Sequence, residues 1–178
     1  LAFDPGTAAC GIACAEVERD IWRILHLTCV LPSGPPPGDA IAWWWQHFAA
    51  LVRQHAPTLI AYETYVWQGR DRTSGNAPLV WQQIGAIRSL GGLPGVHGVQ
   101  GYAPPAWRTQ LTQHGHATDR DVRWHLEHRC GIQSLTDALQ GVPTSGIPHC
   151  LDALGVAIVA GDSWQVHQRM EGDHKDEC

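Results

Sequence analysis

The first 31 residues hold three strand-like runs joined by turns too short for a crossover, and this spacing restricts the fold more than any other feature. "LAF" is short and apolar, and "GIACAEV" alternates small or apolar residues with others. "IWRILHLTCV" sets Ile21, Arg23, Leu25 and Leu27 against Trp22, Ile24 and His26, the two-residue period of a strand with both faces partly covered. Strands joined this tightly pair antiparallel, as a meander.

The pattern then changes. "LPSGPPPGD" forbids regular structure. Residues 40–55, "AIAWWWQHFAALVRQH", place Ile41, Trp44, Trp45, Phe48, Leu51 and Val52 at helical spacing, with Asp39 as N-cap and Pro57 as stop. Trp44 and Trp45 are expected to pack on the sheet with Trp43 at its rim; base stacking is the other use of such a triplet. "TLIAYE" (58–63) reads as a fourth strand and "VHGVQGY" (96–102) as a fifth, each reached through a helix. The first of the later helices starts near Pro78 and runs to about Leu90. "PPAWRTQL" begins another, Thr118 and Asp121 form a capping box before "VRWHLEH", and the last helix starts after Pro148. Helical crossovers add strands in parallel. The expectation is an α/β fold: a five-stranded mixed sheet, three strands antiparallel and two parallel, flanked by helices. Residues 1–168 are expected to form a single domain and 169–178 a polar, flexible tail.

The last helix poses a question. "HCLDALGVAIVAG" (149–161) is apolar, yet His149 and Asp152 stand three residues apart on one face of its first turn. Asp4 ends the first strand in "LAFDPGT", and Glu63 ends the fourth in "LIAYET". If those strands are neighbours, the two carboxylates lie side by side and repel, and burial adds to the penalty. A divalent cation removes both costs. Asp4, Glu63, His149 and Asp152 are therefore expected to face one point as metal ligands.

Composition narrows the classes. Hydrophobic residues make up 44% and charged residues 16%, values of a globular chain. No apolar run reaches about 20 residues, the length a membrane span needs. No secretory signal is visible, and a few residues are expected upstream of Leu1. Six cysteines without a CxxC pair argue against zinc or disulfide frameworks and point to a reducing cytoplasm. His114 and His116 read as a solvated loop. The net charge of −5 argues at first against nucleic acid. The last ten residues hold four acids and two cations, however, and eleven of the twelve cations are arginine, whose planar fork suits phosphate.

"FDPGTAACGIA", "LIAYET" and "HCLDALGVAIVA" together resemble the three active-site motifs of the RuvC-type Holliday junction resolvases, nucleases of the ribonuclease H-like fold. The resemblance spans essentially the whole chain. It implies that Asp4, Glu63 and Asp152 are catalytic carboxylates binding two Mg²⁺ ions, with His149 at a position that is often Asp in the family. It further implies two-metal phosphodiester hydrolysis leaving 5′-phosphate and 3′-hydroxyl ends, with His149 as ligand or proton shuttle. Mn²⁺ is expected to substitute, since imidazole suits it better than Mg²⁺. The family acts as a homodimer that nicks opposing strands of four-way junction DNA, and the helix at about 78–90 matches its dimerisation helix. A branch-migration partner is a further expectation. The junction-stacking aromatic of the family falls where this chain has Val66, which leaves the flanking Tyr65 and Trp67 as the rings available. Arg70, Arg72, Arg108, Arg120 and Arg123 match regions where the family carries basic residues for phosphate.

Other readings stay open. An actin-like or sugar-kinase-like ATPase shares a strand-end Asp-Gly-Thr, but would need a second phosphate loop and an adenosine site. A ribonuclease H or other branched-DNA nuclease, or a junction-binding module without cleavage, would keep the same fold.

Overall fold

The computed structural model describes residues 1–6, 9–18, 21–31, 40–65, 77–114 and 116–173. Its strands are β1 (Ala2–Pro5), β2 (Cys10–Glu18), β3 (Ile21–Val30), β4 (Leu59–Glu63) and β5 (Gly98–Tyr102). They form one sheet in the order β3-β2-β1-β4-β5. The meander is antiparallel, with Asp4 opposite Gly11 and a register shift between Cys14 and Ala15. β4 runs parallel to β1 on one side and to β5 on the other. This is the mixed five-stranded sheet that the short turns and long crossovers dictate.

Helices α1 (Ala40–His55), α2 (Ala77–Ser89), α3 (Pro104–Thr112), α4 (Asp119–Cys130), α5 (Ile132–Ala138) and α6 (Ile147–Asp173) cover its two faces. Strand alternation sorts the core into two layers. Phe3, Ile12, Cys14, Ile60 and Tyr62 face Trp44, Phe48, Val80, Ile84 and Ile87 of α1 and α2. Ala2, Ala13 and Ala61 face α6, through Leu151, Leu154 and Ile158. The small residues lie on the α6 side, and the helix uses that room to sit close to the strands.

Trp44 is buried, whereas Trp43 and Trp45 are both half-buried against the α1–α2 layer. Ile41 is exposed despite its apolar spacing. The expected capping box at α4 is present: Asp121 accepts from the Thr118 amide at 2.8 Å while Thr118 Oγ1 accepts from the Asp121 amide. Gly131, at φ +88°, separates α4 from α5. α6 starts at Ile147 and takes Pro148 into its first turn, where a missing amide proton has no intrahelical partner to lose. It continues through Asp173, past the expected domain limit at 168. Within α6, residues 151–160 are buried except for Asp152. Contrary to the sequence estimate, a helical stretch from Thr144 to Gln168 is long and apolar enough to cross a membrane. Its apolar centre packs on the sheet. The expected Asp39 cap and residues 174–178 lie outside the described residues.

Candidate active site

Three elements meet at the carboxyl ends of β1 and β4. Asp4 stands next to last in β1 and is 6% exposed. Glu63 is the last residue of β4, whose register places Tyr62 opposite Phe3. His149 and Asp152 lie in the first two turns of α6. Gly11 permits the approach: a Cβ there would collide with the carbonyl of His149, so only glycine lets the start of α6 rest on β2. Because Gly11 is the register partner of Asp4, the contact sets His149 beside that carboxylate. His149 Nδ1 and Asp4 Oδ2 are 2.5 Å apart. The turn after Asp4 is tied down as well, by Gln83 of α2, whose Nε2 donates to the carbonyl of Gly6 at 2.9 Å.

The other two acids are held by neighbours on α3. Trp107 Nε1 donates to Glu63 Oε2 at 2.6 Å. Arg108 Nη2 donates to both oxygens of Asp152, at 2.9 and 3.1 Å, and its Nη1 donates to Asp119 at 3.0 Å and to the carbonyl of Ala117.

Proton affinities report how crowded the charges are. Burial and the nearby Asp4 raise the Glu63 carboxyl to about 8, against a smaller opposing effect of the Trp107 hydrogen bond. Burial, then Asp4, raise Asp152 to about 6, although Arg108 pulls it down. The hydrogen bond to Asp4 raises His149, with Asp4, Asp152 and Glu63 adding electrostatically against its burial. The four groups thus sense one another. Two buried carboxylates of raised proton affinity, gathered with Asp4 and an imidazole, are the environment a hard divalent cation relieves. In donor chemistry the set fits such an ion. Among the described residues, no three His, Cys, Asp or Glu side chains already close into a coordination shell. Each acid instead has its own partner: His149, Trp107 or Arg108.

The expected nucleic-acid residues are more dispersed. Trp67, Arg70 and Arg72 lie outside the described residues. Tyr65 is half-buried, with its ring edge-on to Trp81 of α2 at 6.2 Å. Arg120 is exposed on α4, and Arg123 pairs with Glu127 one turn on at 2.9 Å. Arg108, expected to meet phosphate, is engaged with two carboxylates. His114 and His116 are exposed, and the five described cysteines are free thiols, with burial pushing Cys150 up to about 12.

Sequence reasoning did not single out Gly11, Trp107 or Gly155. The available signal was the glycine inside an apolar helix: Gly155 costs such a helix about 1 kcal/mol relative to Ala, so its presence asks for a packing reason. The reason is the Trp107 ring, which a Cβ at position 155 would meet at 2.5 Å.

No protein-family model matches this chain, and no curated protein matches it. Solved structures do. Thermus thermophilus RuvC in complex with a Holliday junction substrate superposes with a TM-score of 0.70 at 24% identity, over 88% of each chain. A second structure of Thermus thermophilus RuvC gives 0.65 at 21% identity, over 90% of this chain and 93% of that one. The yeast mitochondrial Holliday junction resolvase Ydc2 gives 0.67 at 13% identity, over 98% of this chain and 82% of its own. The chain therefore shares the ribonuclease H-like fold of the RuvC-type Holliday junction resolvases.

Proposed function

We propose that the protein is a structure-specific endonuclease that resolves four-way DNA junctions by metal-dependent phosphodiester hydrolysis. One observation carries the reading: Asp4, Glu63 and Asp152, from three separate elements, meet where burial and Asp4 raise the proton affinity of Glu63 and Asp152, at the end of a sheet shaped like that of RuvC bound to its junction. An ATPase reading has no comparable support among the described residues.

Asp4, Glu63, Asp152 and His149 would hold two Mg²⁺ ions, with Mn²⁺ able to replace them. When bound, the ions supply an activated water and stabilise the leaving 3′ oxygen, so that products carry 5′-phosphates. The chain's own groups prepare that site. Asp4 holds the imidazole of His149 through Nδ1, which leaves Nε2 as the atom to accept or return a proton near neutral pH. Arg108 balances Asp152 and stands beside Asp119, within reach of an incoming phosphate once those carboxylates are otherwise neutralised. Arg120 and Arg123 on α4 are proposed as phosphate contacts, and Tyr65 offers a ring near the end of β4. Trp67, Arg70 and Arg72, outside the described residues, are proposed as further DNA contacts.

Paired nicks require two active centres, and α2 supplies a face for a second copy. Val80, Ile84 and Ile87 point into the core, while Trp81 and Arg88 are exposed and Gly85 opens onto free space. Gln83 links that helix to the turn after Asp4, so pairing of subunits would be felt at the site. A branch-migration assembly is a further partner to test.

The deciding experiment compares four-way junction, hybrid, flap and plain duplex substrates, for the unmodified chain and Asp4→Asn. Metal-dependent symmetric nicking of the junction, abolished by the substitution, is the expected result. Preferential cleavage of the hybrid would instead identify a ribonuclease H, and tight junction binding without nicking would identify a binding module.

A further inference from the structure

We infer that Trp107 is a positioning residue for Glu63, held at the required depth by the absence of a side chain at Gly155. The inference rests on the metal-dependent reading of the site and adds a residue to it.

The geometry goes beyond packing. A buried tryptophan needs only an acceptor for its N–H, and any carbonyl would serve. Trp107 is fully buried and spends that donor on a carboxylate oxygen at 2.6 Å, a short bond to a group that carries the chemistry. The indole is donor-only and uncharged, so it orients Glu63 without neutralising it. Arg108, the next residue on α3, contrasts with this: it neutralises Asp152 and would compete with a cation for the same oxygens. With Oε2 fixed by the indole, Oε1 is the oxygen left to act as ligand.

The position of the ring is equally specific. At Gly155 a Cβ would sit 2.5 Å from Cζ3 and 3.1 Å from Cε3 of the indole, so α6 and Trp107 are in direct contact. Gly155 is three residues beyond Asp152 on the same helix, hence on the same side. The helix that presents Asp152 therefore also sets the ring that orients Glu63. Trp107 acts as a rigid strut between the strand that carries one acid and the helix that carries another. Groups hydrogen-bonded to metal ligands set their orientation, and removing one typically costs 10- to 100-fold in metal affinity.

The test uses the full chain and needs no DNA. Calorimetric titration with Mn²⁺ is expected to show Trp107→Phe binding at least tenfold more weakly than the unmodified chain, with Gly155→Ala weakened in the same direction. A purely structural tryptophan would lower the melting temperature and leave the affinity of the folded protein unchanged, and that result overturns the inference. A second measurement holds even if Trp107→Phe does not fold. Among the nine indole N–H resonances of the ¹⁵N-labelled chain, one is expected to move in Glu63→Ala and, in the unmodified chain, on adding Mg²⁺. If none responds to both, the strut is absent. If the unmodified chain binds no Mn²⁺ at all, the metal reading of the site fails, whereas equal binding by Trp107→Phe defeats only the inference.

Discussion

The backbone of His149 occupies the space that a side chain on Gly11 would need, and Gly11 is the register partner of Asp4. The 2.5 Å contact between Asp4 and His149, residues 145 positions apart, follows from that close approach. Substituting Gly11 with Ala should push the first turn of α6 off the sheet. Overpacking of this kind costs about 1–3 kcal/mol, and a shift of about 1 Å at the site is expected to cost on the order of 100-fold in nicking rate. Thermal melts and junction cleavage on the same sample check this: activity should fall much further than stability.

Glu63→Gln should abolish nicking and yet raise the melting temperature of the metal-free protein at pH 8. The carboxyl is raised to about 8 by burial and Asp4, so its ionised form is unwelcome there, and an amide removes that penalty. At pH 5, where the acid is already protonated, the two proteins should melt alike. A drop in stability at pH 8 would mean that Glu63 is not a strained acid.

Metal-free stability should fall as pH rises from about 4 to 8. In the folded chain Asp152 and Glu63 titrate at about 6 and about 8, above their ordinary values of 3.8 and 4.5. His149 is likewise raised above 6.5. Each group therefore binds its proton more tightly folded than unfolded, and the stability it confers is present at low pH and lost as pH climbs through its folded value. Mg²⁺ should stabilise the protein markedly at pH 8 and little at pH 5, because the ion must displace those protons. Melting curves at the two pH values, with and without Mg²⁺, provide the measurement.

Arg108 and Arg120 should part company under salt. Arg120 is exposed, and Arg120→Ala should weaken junction binding and lower the slope of log affinity against log salt by about 1. Arg108 is engaged with Asp152 and Asp119 at 2.9–3.0 Å. Measured without metal, Arg108→Ala should change the slope less than Arg120→Ala. In Mg²⁺, where the ions would neutralise Asp152 in its place, Arg108→Ala should slow nicking through loss of a phosphate contact. Equal slopes for the two variants would place Arg108 on phosphate in the bound state.

His149→Ala should slow nicking in both Mg²⁺ and Mn²⁺. Loss of an imidazole ligand should fall more heavily on Mn²⁺, for which nitrogen donors are better suited. Loss of a proton shuttle should instead flatten the rate-against-pH profile near neutrality in both metals. Unchanged rates in both metals would remove His149 from the chemistry.

Much of this was legible in the chain because its signals are local. Short turns after "LAF" and "GIACAEV" dictate a meander, long helical crossovers dictate parallel strands, and each candidate acid falls at an element end that periodicity marks. The capping box at Thr118 was readable for the same reason: its partners are three residues apart.

The contacts that shape the site were not legible, because their energy lies between elements distant in sequence. Nothing near Trp107 shows that its N–H meets Glu63, 44 residues away, or that Arg108 pairs with Asp152, equally distant in sequence. Gly11 and Gly155 looked like small residues in a strand and a helix until the packing showed what fills the missing Cβ positions. Periodicity and turn chemistry fix which residues share an element and a face. How closely two faces approach is decided only when the whole core packs, and a carboxylate's partner and charge depend on that distance.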